Sequence, residues 1–161
     1  MFETECNVNR FLLGYAHTLV DEIADERLCE QPSPGVNHPA WILGHLAYSG
    51  DGAVGVLGGQ KLLAGDWTKK FGAGSKPSSL RAEYPSKAEL LQILQERFAT
   101  ARDLAAAASP EKVALPNPNA RLKDKLPTVR DAVAFLMSGH LALHLGQLST
   151  WRRLIGIAPL F

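Results

Sequence analysis

Apolar residues recur every three or four positions in four stretches of this chain, which is the spacing of one buried face of an α-helix. The pattern predicts helices over about residues 4–30, 37–59, 86–108 and 128–155. Clusters of proline and glycine lie between these stretches, and proline cannot continue the hydrogen bonding of a helix. No stretch alternates in the way that marks a half-buried strand. We therefore predict an all-α fold, a four-helix bundle.

Residues that cap helices stand where three of the predicted helices begin. Ser86 with Glu89 fits the capping box, in which each side chain bonds the backbone of the other residue. Thr128 with Asp131 repeats that pattern before the fourth helix. Asn37 is predicted to cap the second helix. These starts support the helical interpretation independently of the apolar spacing.

The connection over residues 60–85 is long for a compact domain, which predicts a lid over a functional site or a wall of one. The second helix, which precedes it, is rich in glycine, and each glycine inside a helix costs ~0.5–1 kcal/mol relative to alanine. These glycines are Gly44, Gly50, Gly52, Gly55 and Gly58. Either another helix, a substrate or a second subunit approaches them closely, or the packing of the bundle tolerates them.

Size and composition predict one globular domain over residues 1–161, with 46% hydrophobic and 20% charged residues. The formal net charge is +1 and basic residues occur at most in pairs, so we expect no nucleic-acid partner. No stretch approaches the ~18 consecutive apolar residues of a transmembrane helix, so we expect no membrane partner either.

The two cysteines, Cys6 and Cys29, lie near opposite ends of the predicted first helix. A continuous helix would hold them ~35 Å apart, too far for a disulfide. Free thiols are typical of a reducing compartment, and the first residues lack the basic and apolar segments of a secretory signal. We therefore expect a cytoplasmic protein.

A pair of histidines marks the fourth predicted helix. His140 and His144 are one helical turn apart, so both imidazoles can project from the same face. The apolar stripe of this helix, which includes Val133, Met137 and Trp151, passes through both positions. We therefore predict that the two imidazoles point into the bundle.

His45 is the candidate for a third ligand, because it shares one face of the second helix with Trp41 and Tyr48. Three buried imidazoles without a bound ion would leave several desolvated nitrogens. A divalent metal removes that cost, and three protein nitrogens leave a coordination position for water or substrate. The alternative is three separate core histidines. We predict a metal site of His45, His140 and His144.

Further polar residues are candidates for supporting the metal or contacting substrate. They are Tyr48, Gln147, His17 and Asp51. Tyr48, one turn after His45, could donate a proton or bond a ligand, or pack in the core with its hydroxyl satisfied. Gln147, one turn after His144, could orient that ligand or bind substrate, or hydrogen-bond the backbone.

His17 and Asp51 could hydrogen-bond the ring nitrogen of a ligating imidazole that does not bind the metal. The alternatives are a surface or core role for His17 and a solvated position for Asp51. His38, beside Pro39 at the start of the second helix, is expected to be exposed.

The sequence excludes several well-defined metal-binding and cofactor-binding motifs. A zinc protease motif requires glutamate directly after the first histidine, and Leu141 stands there. Di-iron bundles use Glu-x-x-His pairs, which the sequence lacks. The glycines from Gly50 to Gly55 match a dinucleotide-binding fingerprint by spacing alone, but a predicted helix precedes them where that motif requires a strand.

Two segments of the sequence resemble the DinB superfamily. They run from Asn37 to Leu46 and from His140 to Arg153, and the resemblance covers essentially the whole chain. It implies a bundle with an up-down-down-up layout and a metal triad at His45, His140 and His144. It also implies relatedness to YfiT-like metal-dependent hydrolases and thiol-dependent transferases and isomerases, and it implies a homodimer.

We expect one divalent ion, zinc or nickel first and iron as a further candidate, since imidazole suits all of them. The expected partner is a small-molecule substrate, with a low-molecular-weight thiol as a second partner if the chemistry is group transfer. The functional hypotheses are a metal-dependent hydrolase or thiol-dependent transferase, a non-catalytic metal-binding or stress-response protein, and a dimeric interaction module. The catalytic residues beyond the ligands are not assigned.

Overall fold

Helices form all the regular secondary structure of residues 1–160, which are the residues that this computed structural model describes. The α-helices are α1 (Glu3–Val20), α2 (Pro39–Val56), α3 (Asp66–Phe71), α4 (Lys87–Ala107), α5 (Pro110–Ala114), α6 (Val129–Ala134) and α7 (His140–Leu154). Phe161, the last residue of the predicted domain, lies outside the described residues. The all-α prediction is confirmed for the described part of the chain.

Four long helical segments build the core: α1, α2, α4 and the run from α6 to α7. Helix α2 packs along α4, α1 packs along α7, and α2 also contacts α7. The capping boxes predicted at Ser86 and Thr128 are both present. None of the helices in residues 1–160 combines the length and the hydropathy needed to cross a bilayer.

The first predicted helix is too long, because α1 ends at Val20 and a 3-10 turn covers Asp25–Cys29. The ammonium group of Lys87 donates to the carbonyls of Val20, Asp21 and Ile23, which satisfies groups that a continuing helix would use itself. The separation inferred for the cysteines on one helix therefore does not apply. Both thiols are nevertheless free and buried.

The cap of α2 differs from the prediction. His38, not Asn37, is the capping residue, and its Nδ1 accepts from Trp41 N at 3.2 Å. Its Nε2 therefore carries the proton and donates to Ser78 O at 2.8 Å. The expectation of an exposed His38 is wrong, since the residue is fully buried between the start of α2 and the 60–85 connection.

The fourth predicted helix contains a π-helical turn, Phe135–Gly139, between α6 and α7. His140 N donates to Phe135 O across five residues instead of four. The buried Asn9 of α1 donates to Met137 O at 2.8 Å and accepts from Arg102 at 2.6 Å. Helices α1 and α4 thus support this turn directly before the first histidine of α7.

Glycine allows a close approach at one point of α2. A β-carbon at Gly44 would lie 2.1 Å from Phe71 Cε1, so the ring at the end of α3 rests directly on the helix backbone. Gly14 in α1 differs, because a β-carbon there would meet nothing within 4 Å. The sequence left open whether close contact explains the glycines of α2, and at Gly44 it does.

Gly44→Ala should lower the free energy of unfolding by about 1–3 kcal/mol, because the buried Phe71 ring would have to move. The matched change Gly14→Ala should raise it by about 0.5–1 kcal/mol, since alanine is the better helix former where space is free. Urea unfolding followed by circular dichroism measures both. Equal effects of the two changes would contradict the close packing at Gly44.

Candidate metal centre

The three predicted histidines converge on one point between α2 and α7. One nitrogen from each of His45, His140 and His144 lies within 4.8 Å of the others, so the group could hold a metal ion. His45 is buried and the other two are half-buried. The fully buried stripe of α7 runs through Leu141 and Leu145, so the histidines flank that stripe and face α2 instead of lying within it.

The ring of His45 is fixed on two sides. Its Nδ1 lies 2.6 Å from Phe71 O, and because a carbonyl can only accept, Nδ1 carries the proton. Trp41 stacks on the ring at 4.7 Å between centroids and 7° between planes. The indole N–H of Trp41 donates to Lys70 O and Ser75 Oγ, which fixes the stacking residue as well. Nε2 of His45 is left as the free lone pair.

His144 is oriented by a chain of two amides. Its Nδ1 lies 3.2 Å from Gln147 Oε1, and that oxygen also accepts from Asn37 Nδ2 at 3.1 Å. The protonated Nδ1 therefore donates to Gln147, and Nε2 is free to bind an ion. Of the three roles considered for Gln147, orientation of the histidine is the one whose contact is present. Asn37, predicted as a helix cap, holds Gln147 instead.

His140 completes the group and carries its unsatisfied atoms. Its Nε2 lies 3.3 Å from Nε2 of His45, while its buried Nδ1 has no hydrogen-bond partner among the described residues. Since His45 Nε2 has no proton, His140 Nε2–H donates to it in the absence of an ion. Two nitrogens bound to zinc at ~2.05 Å with a tetrahedral angle would be separated by ~3.3 Å. The observed separation of this pair therefore matches that of two ligands of one zinc ion.

The electrostatics favour neutral imidazoles, which is the form that binds metals. Burial, reinforced by the neighbouring His144 and His45, lowers the pKa of His140 to about 3. Burial and the nearby His45 lower the pKa of His144 to about 4. The pKa of His45 is also lowered by burial, although its bond to Phe71 opposes the shift. At neutral pH all three rings are therefore uncharged.

A cavity of about 420 Å³ opens beside the cluster. His45 and His140 form part of its wall, next to apolar side chains and two cations. The apolar and cationic wall residues are Val56, Leu122, Phe135, Leu136, Lys61 and Arg121. The volume is that of a small-molecule pocket, and the predicted role of the 60–85 connection as a wall agrees with the positions of Lys61 and Ala73.

Of the other candidate residues, Tyr48 lies at the site and His17 does not. Tyr48 is half-buried: it packs against the hydrophobic core, its hydroxyl donates to Thr68 at 3.3 Å, and it also lines the cavity. His17 is exposed near the end of α1 and is not part of the cluster.

The expectation of a solvated Asp51 is wrong. Its carboxylate is fully buried, accepts from Leu62 N and Leu63 N at 2.9 and 3.0 Å, and pairs with Arg97 at 3.5 Å. A buried carboxylate needs such partners, and these partners lie away from the histidines. Asp51 therefore anchors the start of the 60–85 connection instead of bonding a ligating imidazole.

The sequence-based interpretation missed Lys61 and Arg121 at the pocket, and the Phe71 carbonyl and Asn37 behind the ligands. The sequence carries one signal for Lys61, the glycine at position 55 of the preceding helix, beside which its side chain lies. Arg121 lies in an irregular loop, and its place depends on contacts that no local pattern encodes.

The chain belongs to the DinB superfamily, whose family model matches residues 13–148. This match confirms the resemblance and includes His45, His140 and His144. A comparison with curated proteins gave no match. The family assignment therefore supports the fold and the candidate metal centre, and it leaves the reaction to be inferred from the site.

Gln147→Ala should weaken zinc binding by about 10–100-fold, because His144 would lose the acceptor that fixes its tautomer and ring plane. Competition with a fluorescent zinc chelator measures the affinity. Gln95→Ala, which removes an exposed glutamine from α4, is the matched control and should leave the affinity unchanged. Equal zinc affinities of both variants would show that Gln147 does not orient His144.

Proposed function

We propose that the chain is a metal-dependent enzyme that acts on a small molecule, as a hydrolase or a thiol-dependent transferase, through an ion held by His45, His140 and His144. One observation carries the proposal: three neutral imidazoles from two helices converge beside a cavity that admits a small molecule. A divalent ion bound there would lower the pKa of a coordinated water or thiol and so supply a nucleophile at neutral pH.

Residues of the chain would orient both the metal ligands and the substrate. Phe71 O and Gln147 hold two of the imidazoles by their Nδ1 atoms, so that the lone pairs stay directed at one point. Tyr48 lies at the cavity one turn from His45, where its hydroxyl could bond a substrate after exchanging its bond to Thr68. The apolar wall would exclude bulk water from the bound molecule.

Zinc or nickel is the proposed ion, with iron as a further candidate, because three imidazole nitrogens suit each of them. The second hypothesis is a non-catalytic metal-binding or stress-response protein. It would use the same three histidine ligands as the enzyme, but it would not need a substrate pocket. The cavity beside His140 favours the enzyme.

The single domain and the expected partners have not been tested, and three further expectations also stay predictions. They are the up-down-down-up order of the bundle, the homodimer that the resemblance implies, and the cytoplasmic location. Size-exclusion chromatography with light scattering tests the dimer, and also the hypothesis of a dimeric interaction module.

His144→Ala should abolish stoichiometric zinc binding while leaving the helical content intact, because it removes one ligand of three from a half-buried position. The matched change His17→Ala removes an exposed histidine and should bind one zinc per chain. Elemental analysis after dialysis against zinc gives the stoichiometry. Full occupancy of the His144 variant would refute the triad.

Zinc at about 100 times its dissociation constant should raise the free energy of unfolding by about 2.7 kcal/mol in the native protein, since the ion binds the folded chain alone. The same zinc concentration should have no such effect on the His144→Ala protein. Denaturant unfolding with and without the ion measures the difference.

Screens of ester hydrolysis, amide hydrolysis and thiol transfer with the zinc and nickel forms separate the enzyme from the non-catalytic alternative. We expect turnover that disappears on chelation and in the His144→Ala variant, and returns to the native protein when the ion is restored. A metal-replete protein with no turnover across these classes would favour the non-catalytic protein.

A further inference from the structure

We infer that this site takes substrates with an anionic group, and that Lys61 and Arg121 bind that group while the apolar wall holds the remainder of the molecule. The inference rests on the proposed function for what happens at the histidines, but its observations are separate. They concern another part of the cavity wall, where two cationic side chains lie among apolar ones.

Lys61 is directed to the cavity by a close fit to α2. A β-carbon at Gly55 would lie 2.8 Å from Lys61 Cδ, so the aliphatic stem of the lysine packs directly against the helix at this glycine. The ammonium group ends 5.7 Å from the centre of the Tyr48 ring, which also lines the cavity. The cation is thereby directed along the wall of the cavity, although the residue is exposed.

The backbone that carries Lys61 is fixed by the buried carboxylate of Asp51. That carboxylate accepts from the next two backbone N–H groups, Leu62 and Leu63, and is neutralised by Arg97. A buried ion pair with this many bonds specifies one conformation of the connection. The position of Lys61 thus has a structural cause in the interior of the bundle.

Arg121 lines the same cavity from a different connection, the loop between α5 and α6. Its backbone N–H donates to Asn119 Oδ1 at 3.0 Å, and the buried Asn117 holds this loop through Leu126 O at 2.8 Å. The guanidinium lies 3.5 Å from Ala73 O, which is a long contact, so most of its donors remain available.

The charges of the cavity are one-sided. Among residues 1–160, neither Lys61 nor Arg121 forms a salt bridge, and no aspartate or glutamate belongs to the cavity wall. Two cations without a fixed counter-ion attract an anion, and because both side chains are exposed, added salt screens that attraction. At about 420 Å³ the space suits a small molecule whose apolar body contacts Phe135 and Leu136.

The test compares two probes that differ in charge. They are 3-phenylpropanesulfonate and the neutral 3-phenylpropyl methyl sulfone, and a sulfonate is a poor ligand for zinc. Ligand-observed NMR titration gives both affinities, for the metal-free protein and for the zinc form. We expect the native protein to bind the sulfonate about tenfold more tightly in both forms, with a preference that falls as salt is added.

The double variant Lys61→Gln/Arg121→Gln should lose that tenfold preference and keep its affinity for the neutral sulfone. The charge-matched control Lys123→Gln/Lys125→Gln changes two exposed lysines of the same connection as Arg121, outside the cavity wall, and should keep the preference. All variants retain the three histidines, so their zinc stoichiometry should equal that of the native protein.

Equal affinities of the native protein for the two probes, undetectable binding of both included, would overturn the inference. So would a sulfonate preference that survives in the double variant, or one that appears in the zinc form alone. Failure of the proposed function gives a different result: the chain would bind no stoichiometric zinc, or would bind it and show no turnover, yet the metal-free protein would still prefer the sulfonate.

Discussion

Three imidazoles buried together must each find partners for two nitrogens, and the surroundings of the site follow from this constraint. Phe71 O takes the Nδ1 proton of His45, and Gln147 takes that of His144. Each bond sets a tautomer and leaves Nε2 as the lone pair. Nε2 of His140 lies 3.3 Å from Nε2 of His45, so these two nitrogens have only each other as partners among the described residues. A cation is the partner that suits three converging lone pairs.

The same constraint explains why the 60–85 connection packs against α2. Phe71 can present its carbonyl to His45 because its ring lies on the backbone of Gly44. Trp41, which stacks on His45, bonds the connection again through its indole N–H. His38 bonds it at Ser78 O. The glycine and the two buried rings of α2 therefore hold the segment that orients the first ligand.

The sequence was sufficient for the features that local spacing encodes. Apolar periodicity predicted four long helical segments, side-chain pairs predicted both capping boxes, and the histidine spacing predicted which imidazoles meet. The errors fall where a distant partner decides the outcome. Lys87 supplies the donors at the end of α1, Ser78 makes a buried His38 tolerable, and Arg97 with two backbone N–H groups does the same for Asp51. The π-turn before His140 depends likewise on Asn9 of another helix.

The cavity wall has two parts, one formed by the histidines on helices and one by the connections that carry Lys61 and Arg121. The histidine side is bounded by helices, and hydrogen bonds at Nδ1 hold two of its rings, so these rings are oriented before any ligand arrives. The cationic side consists of connections, but Asp51 and Asn117 fix their backbones from within the fold. Lys61 and Arg121 can thus follow the end of a bound molecule while their backbones stay in place. Such a division suits the proposed site, in which the histidines would hold the ion and the two cations would select the substrate.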